Sequence, residues 1–273
     1  MTTFVQSDES AYSFDNDDPE ARDRHRHLSA ILDDFTFARL GSIGDLAGRR
    51  CLEVGAGGGS VARWLADQVG PTGRVLATDL NIKHLPTSAR FEVAQHNLVT
   101  DEMPAGPWDV IHARLVLLHI PERKEILCRL AEALAPGGHL VLEEWATVFD
   151  RLVLAAPDAE SAELVEAYHR TLTGTILPGN GNDPTWASQA HGAMLDAGLV
   201  DVDTEMSSRS WPGGTAGAQL IIANIGQVRS KFIDEGFTEA DLDRLCQLAL
   251  DPRLVIRGHF TYSTIGRRPG SAS

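Results

Sequence analysis

The chain has 273 residues, of which 43% are hydrophobic and 23% charged, the balance of a globular protein with a sizeable core. Its 38 acidic residues outnumber 24 Lys and Arg, so the net charge is −14 and we expect neither nucleic acid nor an anionic membrane as partner. No apolar run approaches the ~18 residues needed to span a bilayer, and no secretion signal begins the chain, which predicts a cytoplasmic protein.

The first segment, residues 1–19, is polar and acidic but contains two aromatic side chains, Tyr12 and Phe14. Aromatic residues are unusual in such a stretch, so we expect both to belong to a lid that orders over a ligand, with a frayed tail as the alternative. From Glu20 to Leu40 apolar residues recur at nearly helical spacing. Residues 1–44 are therefore predicted to form an N-terminal helical lid.

Short β-rich runs alternate with helical stretches from residue 50 onwards, a pattern typical of a parallel sheet with helices on both faces. The predicted strands cover residues 50–54, 75–79, 90–94, 108–112 and 138–144. The predicted helices between them cover residues 59–69, 82–85 and 122–134.

The second half of the chain is rich in predicted helices, which cover residues 158–173, 184–197, 215–234 and 239–249. Two late runs, 199–211 and 254–266, alternate apolar and polar residues and predict a terminal antiparallel pair of strands. Helical insertions at about 150–180 and 215–250 would then cap a domain that spans residues 45–273.

The most informative segment is the Gly-rich turn Glu53-Val54-Gly55-Ala56-Gly57-Gly58-Gly59, between the first predicted strand and its helix. Glycines allow a ligand close to the backbone, and the following helix N-terminus offers amide donors. Read from Gly57, the turn also fits the dinucleotide pattern G-x-G-x-x-A. The Glu53 carboxylate would repel a pyrophosphate and attract an ammonium or sulfonium group, so the favoured ligand is cationic.

A second acid, Asp79, ends the next predicted strand, twenty residues beyond Gly59. A carboxylate at this position can accept two hydrogen bonds from a ribose diol. The alternative is a solvated loop acid or the N-cap of the next helix.

Four segments resemble, in order and spacing, the successive motifs of class I S-adenosylmethionine-dependent methyltransferases: Glu53–Gly59, Asp79, Trp108–Arg114 and Leu134–Glu143. This resemblance covers about residues 45–150. More loosely, residues 12–40 and 260–269 are similar to actinobacterial small-molecule methyltransferases of the natural-product type. The family implies an α/β fold with a Rossmann-like seven-stranded sheet whose last strand is antiparallel, helices on both faces and helical cap insertions.

The resemblance implies S-adenosyl-L-methionine as cofactor and assigns its contacts. Glu53 would hold the methionine ammonium, directly or through water, and Asp79 both ribose hydroxyls. Asn97 stands where the family often has an acid for the adenine amino group, and its carbonyl oxygen can accept that hydrogen bond. Arg114 would reach the methionine carboxylate. The remaining implied cofactor contacts are Gly55, Ala56, Gly57, Gly59, Leu80, Leu98 and Ala113.

Catalytic candidates come from the ends of the fourth and fifth predicted strands, because adjacent parallel strands end at the same edge of a sheet. His119 follows the fourth strand, and we predict it as a general base with Glu143 or Glu144 as its neighbour; a packed histidine is the alternative. Trp145, Tyr168 and His169 are predicted to line the acceptor site or its lid. No metal ligand set is predicted.

The predicted function is methyl transfer from S-adenosylmethionine to a small-molecule acceptor such as a secondary metabolite, on oxygen or nitrogen rather than carbon. One alternative is the same fold acting as a cyclase or a non-catalytic cofactor binder. Another is a nicotinamide oxidoreductase, although none of the three lysines follows a tyrosine by four residues. A homodimer is compatible with the sequence.

Overall fold

A computed structural model of the chain describes residues 20–86 and 90–270. Its strands are β1 (Arg50–Val54), β2 (Arg74–Asp79), β3 (Glu92–Gln95), β4 (Trp108–Arg114), β5 (Leu134–Ala146), β6 (Val153–Ala155), β7 (Val200–Ser207), β8 (Ser210–Pro212), β9 (Val255–Arg257) and β10 (Phe260–Arg267). Seven of them form one sheet in the order β3-β2-β1-β4-β5-β10-β7. The last strand, β10, runs antiparallel to both of its neighbours, while the five strands β1 to β5 pair in parallel. The predicted fold class is thereby confirmed.

Helices cover both faces of this sheet and its carboxyl edge. They are α1 (Glu20–Gly41), α2 (Ser60–Val69), α3 (Arg123–Ala133), α4 (Ala159–Thr171), α5 (Trp186–Asp196), α6 (Ala216–Asp234) and α7 (Glu239–Leu248). None of the helices within residues 20–86 and 90–270 is long and apolar enough to cross a bilayer. A π-helical turn, Leu172–Ile176, continues α4, and a 3-10 turn, Leu117–His119, follows β4.

The local sequence explains why the central strands and α2 lie where they do. Strand β2 is buried at five consecutive positions, as expected for a parallel strand whose two faces are both covered. Helix α2 buries its Val61, Leu65 and Val69 stripe against the sheet, since residues three to four positions apart share one helix face. The N-terminus of α2 is thus held at the carboxyl edge of β1.

The two late runs predicted as single strands are each divided in two. Residues 199–211 become β7 and β8, and residues 254–266 become β9 and β10; β6, β9 and β8 form a second, three-stranded sheet. The division of the second run falls at Gly258, whose amide donates to the Arg209 carbonyl. A side chain there would collide with Trp211, because an added Cβ would lie 2.7 Å from its ring. The predicted helix at 82–85 is a 3-10 turn, Ile82–His84.

The cap consists of α4, the π-helical turn, α6 and α7, packed with α1 in one apolar cluster. This cluster contains Leu32 of α1, Val165 of α4, Ile221 of α6 and Leu245 of α7. Trp145 at the end of β5 belongs to the same cluster, so the cap lies over the carboxyl edge of the sheet. Tyr12 and Phe14, predicted for the lid, lie outside the described residues.

Candidate active site

The Gly-rich turn between β1 and α2 has the geometry that a bound ligand requires. Gly55, Gly57 and Gly59 have φ values of 65°, 52° and 72°, in the left-handed region that glycine adopts readily. At Gly55 a side chain is also excluded sterically, because an added Cβ would lie 2.4 Å from Val116 Cγ2. The turn therefore presents bare backbone and the first amides of α2, which suit a carboxylate such as that of methionine.

Asp79, at the end of β2, reaches the same turn. Its Oδ2 accepts a hydrogen bond of 2.8 Å from the Gly57 amide, and its Oδ1 one of 3.1 Å from the Asn81 amide. Burial raises the pKa of Asp79, and the hydrogen bonds from these amides oppose that rise. Since each carboxylate oxygen retains further acceptor capacity, the backbone orients Asp79 to receive a diol.

The other predicted cofactor contacts on this side differ in accessibility. Leu80 is 44% exposed beside Asp79 and offers apolar surface, whereas Leu98 and Ala113 are buried in the core. The Asn97 carbonyl oxygen already accepts a 2.9 Å hydrogen bond from the Val99 amide. An adenine amino group would therefore share this oxygen with the backbone. The Ala56 amide donates to the Thr78 carbonyl and ties the turn to β2.

Glu53 is paired from inside the protein. Its Oε2 lies 2.7 Å from His112 Nδ1, and His112 Nε2 lies 3.5 Å from Glu143 Oε2, with all three side chains buried. Burial alone would lower the pKa of His112, but the two carboxylates outweigh it and raise the pKa to about 9. Glu53 therefore faces an imidazolium at neutral pH. The ammonium contact predicted for Glu53 depends on its second oxygen or on bridging water.

This buried pairing continues into α1. Glu143 Oε2 also accepts a hydrogen bond from Thr36, whose hydroxyl accepts a 2.8 Å bond from Arg114 Nη1. Arg114 Nη2 lies 3.0 Å from Asp33 and 3.4 Å from the hydroxyl of Ser60, the first residue of α2. Arg114 is thus beside the helix N-terminus where a methionine carboxylate would lie.

Helix α1 covers the Gly-rich turn with His25. An added Cβ at Gly57 would lie 3.4 Å from His25 Nε2, and one at Gly58 would lie 3.4 Å from His25 Cβ. The ring of His84 packs edge-on against His25 at 5.6 Å. Burial, assisted by Arg24 and His84, lowers the pKa of His25 to about 4, so its imidazole is neutral. This helix is therefore part of the site.

A pocket opens at the carboxyl ends of β4 and β5, beneath the cap. Its empty volume is about 730 Å³, part of it open to solvent. Aliphatic side chains of α6 and of the π-helical turn form much of the wall. The aromatic and imidazole lining consists of His119, Trp145, Tyr168, His169, Trp211 and His259. The structure thus brings together all the predicted acceptor-side residues that it describes, apart from Glu143 and Glu144, which do not line the pocket.

His119 and Glu144 contribute in different ways. His119 Nδ1 lies 3.1 Å from Asn182 Nδ2, and burial, then Arg24 and Arg123, lower the pKa of His119 to about 3. Glu144 Oε1 accepts a 2.8 Å hydrogen bond from the Leu117 amide, and burial raises its pKa to about 8 against the backbone donors. Glu144 therefore holds the 3-10 turn that carries His119, while Glu143 faces His112.

Several site residues escape sequence reasoning. Arg24 and His25 lie in a basic stretch of α1 that has no motif, and their place depends on how that helix docks. Trp211 and His259 come from β8 and the loop after β9, far along the chain from the turn. His112 could have been found from the sequence, because alternate residues of a strand lie on the same face and His112 therefore shares a face with Arg114, a predicted cofactor contact. Within residues 20–86 and 90–270, no three His, Cys, Asp or Glu side chains are grouped to hold a metal ion.

The sheet order, the Gly-rich turn and the acid that ends β2 define an α/β protein with a Rossmann-like methyltransferase fold. The model of a family described as "Methyltransferase domain" matches residues 21–176, more than half of the chain. The chain belongs to this methyltransferase domain family.

Curated relatives match the chain over part of their length. Methyltransferase str2 of Strobilurus tenacellus is 38% identical over 111 residues, which cover 38% of this chain and 39% of str2. The ubiquinone/menaquinone biosynthesis C-methyltransferase UbiE of Pseudomonas savastanoi is 27% identical over 124 residues, or 42% of this chain and 48% of UbiE. The chain thus spans less than half the length of these relatives.

Solved structures share the fold at low identity. Phosphoethanolamine N-methyltransferase 2 of Haemonchus contortus, in complex with phosphomonomethylethanolamine and S-adenosylhomocysteine, has a TM-score of 0.52 at 17% identity, covering 86% of this chain and 52% of that one. The YcgJ protein of Bacillus subtilis has a TM-score of 0.52 at 13% identity, covering 90% and 100%. At these identities the likeness concerns the fold alone.

Proposed function

We propose that this chain transfers a methyl group from S-adenosyl-L-methionine to a small-molecule acceptor. The observation that carries the proposal is that helix α1 borders both the Gly-rich turn and the aromatic pocket. His25 of α1 covers the Gly-rich turn, and the preceding residue, Arg24, lines the aromatic pocket. A donor at the turn and an acceptor in the pocket would then meet at the carboxyl ends of β1 and β4.

S-adenosyl-L-methionine is the cofactor that suits the first of these sites. Asp79, oriented by two backbone amides, would hold the ribose diol. Arg114 and the N-terminus of α2 would hold the methionine carboxylate, and Glu53 would face the ammonium. When bound, the cofactor supplies an electrophilic methyl group on a sulfonium.

The chain's own residues align the two partners and exclude water. Transfer from a sulfonium is an in-line displacement, so orientation and a dry pocket supply most of the catalysis. The aliphatic walls from the π-helical turn and α6 would limit the contact of water with the acceptor. His119 lines the same pocket and would contact the acceptor. We further propose a secondary metabolite as acceptor, as in natural-product methyltransferases.

Calorimetric titration with S-adenosylhomocysteine and, separately, with NADH tests the cofactor. We expect S-adenosylhomocysteine to bind in a one-to-one ratio and NADH not to bind. Binding of NADH alone would overturn the proposal in favour of an oxidoreductase. Release of S-adenosylhomocysteine on addition of an acceptor then separates transfer from the cyclase and non-catalytic alternatives, which share the cofactor site.

A further inference from the structure

The charge of the acceptor pocket is one-sided. Among the described residues that line it, none is Asp or Glu, and Arg24 carries the permanent charge. Arg24 acts within the pocket, since it adds to the lowering of the pKa of His119 by burial and opposes the rise that burial causes in the pKa of Tyr168. Burial is the main cause that lowers the pKa values of His119 and His259 to about 3, so both imidazoles are neutral. The described lining is thus cationic.

Three neutral side chains of the pocket lining each have a buried polar atom without a hydrogen-bond partner in the described part of the chain. These atoms are His259 Nδ1, Thr147 Oγ1 and Asn182 Oδ1. Buried polar atoms are nearly always hydrogen-bonded, so unpaired ones on a cavity wall indicate polar groups of a ligand. The Thr147 hydroxyl, and His259 Nδ1 when it carries the ring proton, can donate to a hydroxyl, carbonyl or carboxyl oxygen of an acceptor, whereas Asn182 Oδ1 can only accept, for example from a hydroxyl.

One wall of the pocket is a group of packed rings. The His259 ring lies 4.8 Å from Trp145, 5.7 Å from Trp211 and 5.7 Å from His169, centroid to centroid. The Trp145 indole is fixed because its Nε1 donates a 2.9 Å hydrogen bond to Thr261. Rigid aromatic faces of this kind favour a flat ring as partner.

Resting on the methyl transfer proposed above, we propose that the acceptor is a flat aromatic molecule and that its methyl-accepting atom is an acidic oxygen, a phenol, enol or carboxyl group. The ionised oxygen uses a lone pair to form the new O–C bond, while the C–S bond breaks and its electron pair stays on sulfur. The oxygen loses its negative charge and the sulfonium its positive charge, so no proton is taken up by the protein in this step.

An amine acceptor suits the pocket less. A protonated amine has no lone pair, so it needs a carboxylate to bind it and a base to deprotonate it. The described lining offers no carboxylate, and a proton moved to His119 would create a second cation close to Arg24 and Arg123. Like charges in a partly buried site repel strongly. A carboxyl group avoids both costs because it arrives as an anion, and a phenol or enol avoids them by releasing its proton to water at the open side of the pocket before the transfer.

The experiment uses three probes with one ring system and different charge: 2-naphthoic acid, 2-naphthol and 2-naphthylmethylamine. Each is titrated by calorimetry into the full chain saturated with S-adenosylhomocysteine at pH 7.5. We expect naphthoate and naphthol to bind at least tenfold more tightly than the amine. Arg24→Gln should reduce the preference for naphthoate over the amine at least threefold, and Arg22→Gln, an exposed arginine of the same helix, should leave it unchanged.

A second variant keeps the test decisive if Arg24→Gln does not fold. His259→Phe retains a ring but removes the unpaired nitrogen, so naphthol should bind more weakly while S-adenosylhomocysteine binds as before. Equal or tighter binding of the amine, or binding of none of the probes to protein that binds S-adenosylhomocysteine, overturns the acceptor class and leaves the proposed function standing. Failure to bind S-adenosylhomocysteine overturns the proposed function itself.

Discussion

At the scale of single residues, Asp79 offers the most direct test of the cofactor site. We expect Asp79→Ala to weaken binding of S-adenosylhomocysteine about 10- to 100-fold, because losing a charge-assisted hydrogen bond costs about 1.5 to 3 kcal/mol. Calorimetric titration measures the change. Asp196→Ala, at an exposed acid that ends α5, is the control and should bind as the unmodified chain does. Unchanged affinity in Asp79→Ala would remove this residue from the site.

His119 can act on an acceptor oxygen in two ways. A general base would give a 10²- to 10⁴-fold rate advantage, but a pKa near 3 means that the imidazole holds a captured proton weakly. With Nδ1 accepting from Asn182, the neutral ring carries its proton on Nε2 and is a hydrogen-bond donor. A donor to an ionised oxygen suits the acidic acceptor inferred above.

We therefore expect His119→Ala to lower kcat about 10- to 100-fold, as the loss of one hydrogen bond to a charged oxygen predicts. His119→Gln, which keeps an N–H donor, should recover much of the rate. Steady-state kinetics with an acceptor that is turned over measure both variants, and S-adenosylhomocysteine affinity should stay within threefold. If His119→Gln is as slow as His119→Ala and the loss reaches about 10³-fold, His119 is a base.

The residues that could be predicted from the sequence are those whose position follows from a local pattern. A strand ending in Gly-x-Gly-x-Gly and another ending in Asp79 place both features at one sheet edge without knowledge of the rest of the fold. Arg24 and His25 reach the site through the docking of α1, which no local spacing encodes. The pairing of Glu53 with His112 likewise depends on the β1–β4 register, which sets these two residues side by side.

At the scale of elements, α1 is the piece that joins the two sites. Its C-terminal half is anchored by Arg39, a buried guanidinium that lies 2.7 Å from Asp203, 3.3 Å from Glu205 and 3.3 Å from Ser263. Its N-terminal half carries Arg24 and His25 over the pocket and the turn. A buried charge that lost its partners would be costly, so this anchor fixes where the helix lies.

We expect S-adenosylhomocysteine to slow tryptic cleavage at Arg22 and Arg26, because a ligand on the Gly-rich turn stabilises the helix that covers it. Limited proteolysis followed by mass spectrometry measures the rates with and without ligand. Cleavage at Arg253, an exposed arginine remote from the turn, serves as the control and should not change. Equal rates at Arg22 in both samples would mean that α1 does not respond to the cofactor.

Elements whose apolar residues follow a clear helix or strand spacing were predictable from the sequence, and elements whose position depends on tertiary packing were not. The five parallel strands and α2 follow from apolar runs and from the Gly-rich stop signals between them. The small sheet of β6, β8 and β9 has three residues in each strand, too few for a period to be read. The position of this sheet depends on the packing of Trp211 against Gly258, two residues that are far apart in the sequence.

For the molecule as a whole, buried titratable groups set how stability depends on pH. His119 and His259 have folded pKa values of about 3, below the ordinary 6.5, so stability falls as pH drops below about 6.5. His112 has a folded pKa of about 9, so its contribution is full below pH 6.5 and is lost as pH rises toward 9. Burial raises the folded pKa of Glu144 from 4.5 to about 8, so its contribution to stability is full below pH 4.5 and is lost as pH rises toward 8.

These opposing signs predict a stability maximum between about pH 6 and 7. Between pH 6.5 and 5.5 each of the two neutral imidazoles lowers the free energy of unfolding by about 1 kcal/mol, and their sum exceeds the gain from Glu144. Above pH 7 the contributions of His112 and Glu144 both decrease. Urea unfolding at pH 5, 6.5 and 8 measures the profile. Because Gln stays neutral, the free energy of unfolding of Glu144→Gln should decrease by about 1 to 2 kcal/mol less than that of the unmodified chain between pH 6.5 and 8. Glu160→Gln, at an exposed position, should match the unmodified chain. Parallel declines in both variants would show that Glu144 is ionised in the folded protein at neutral pH.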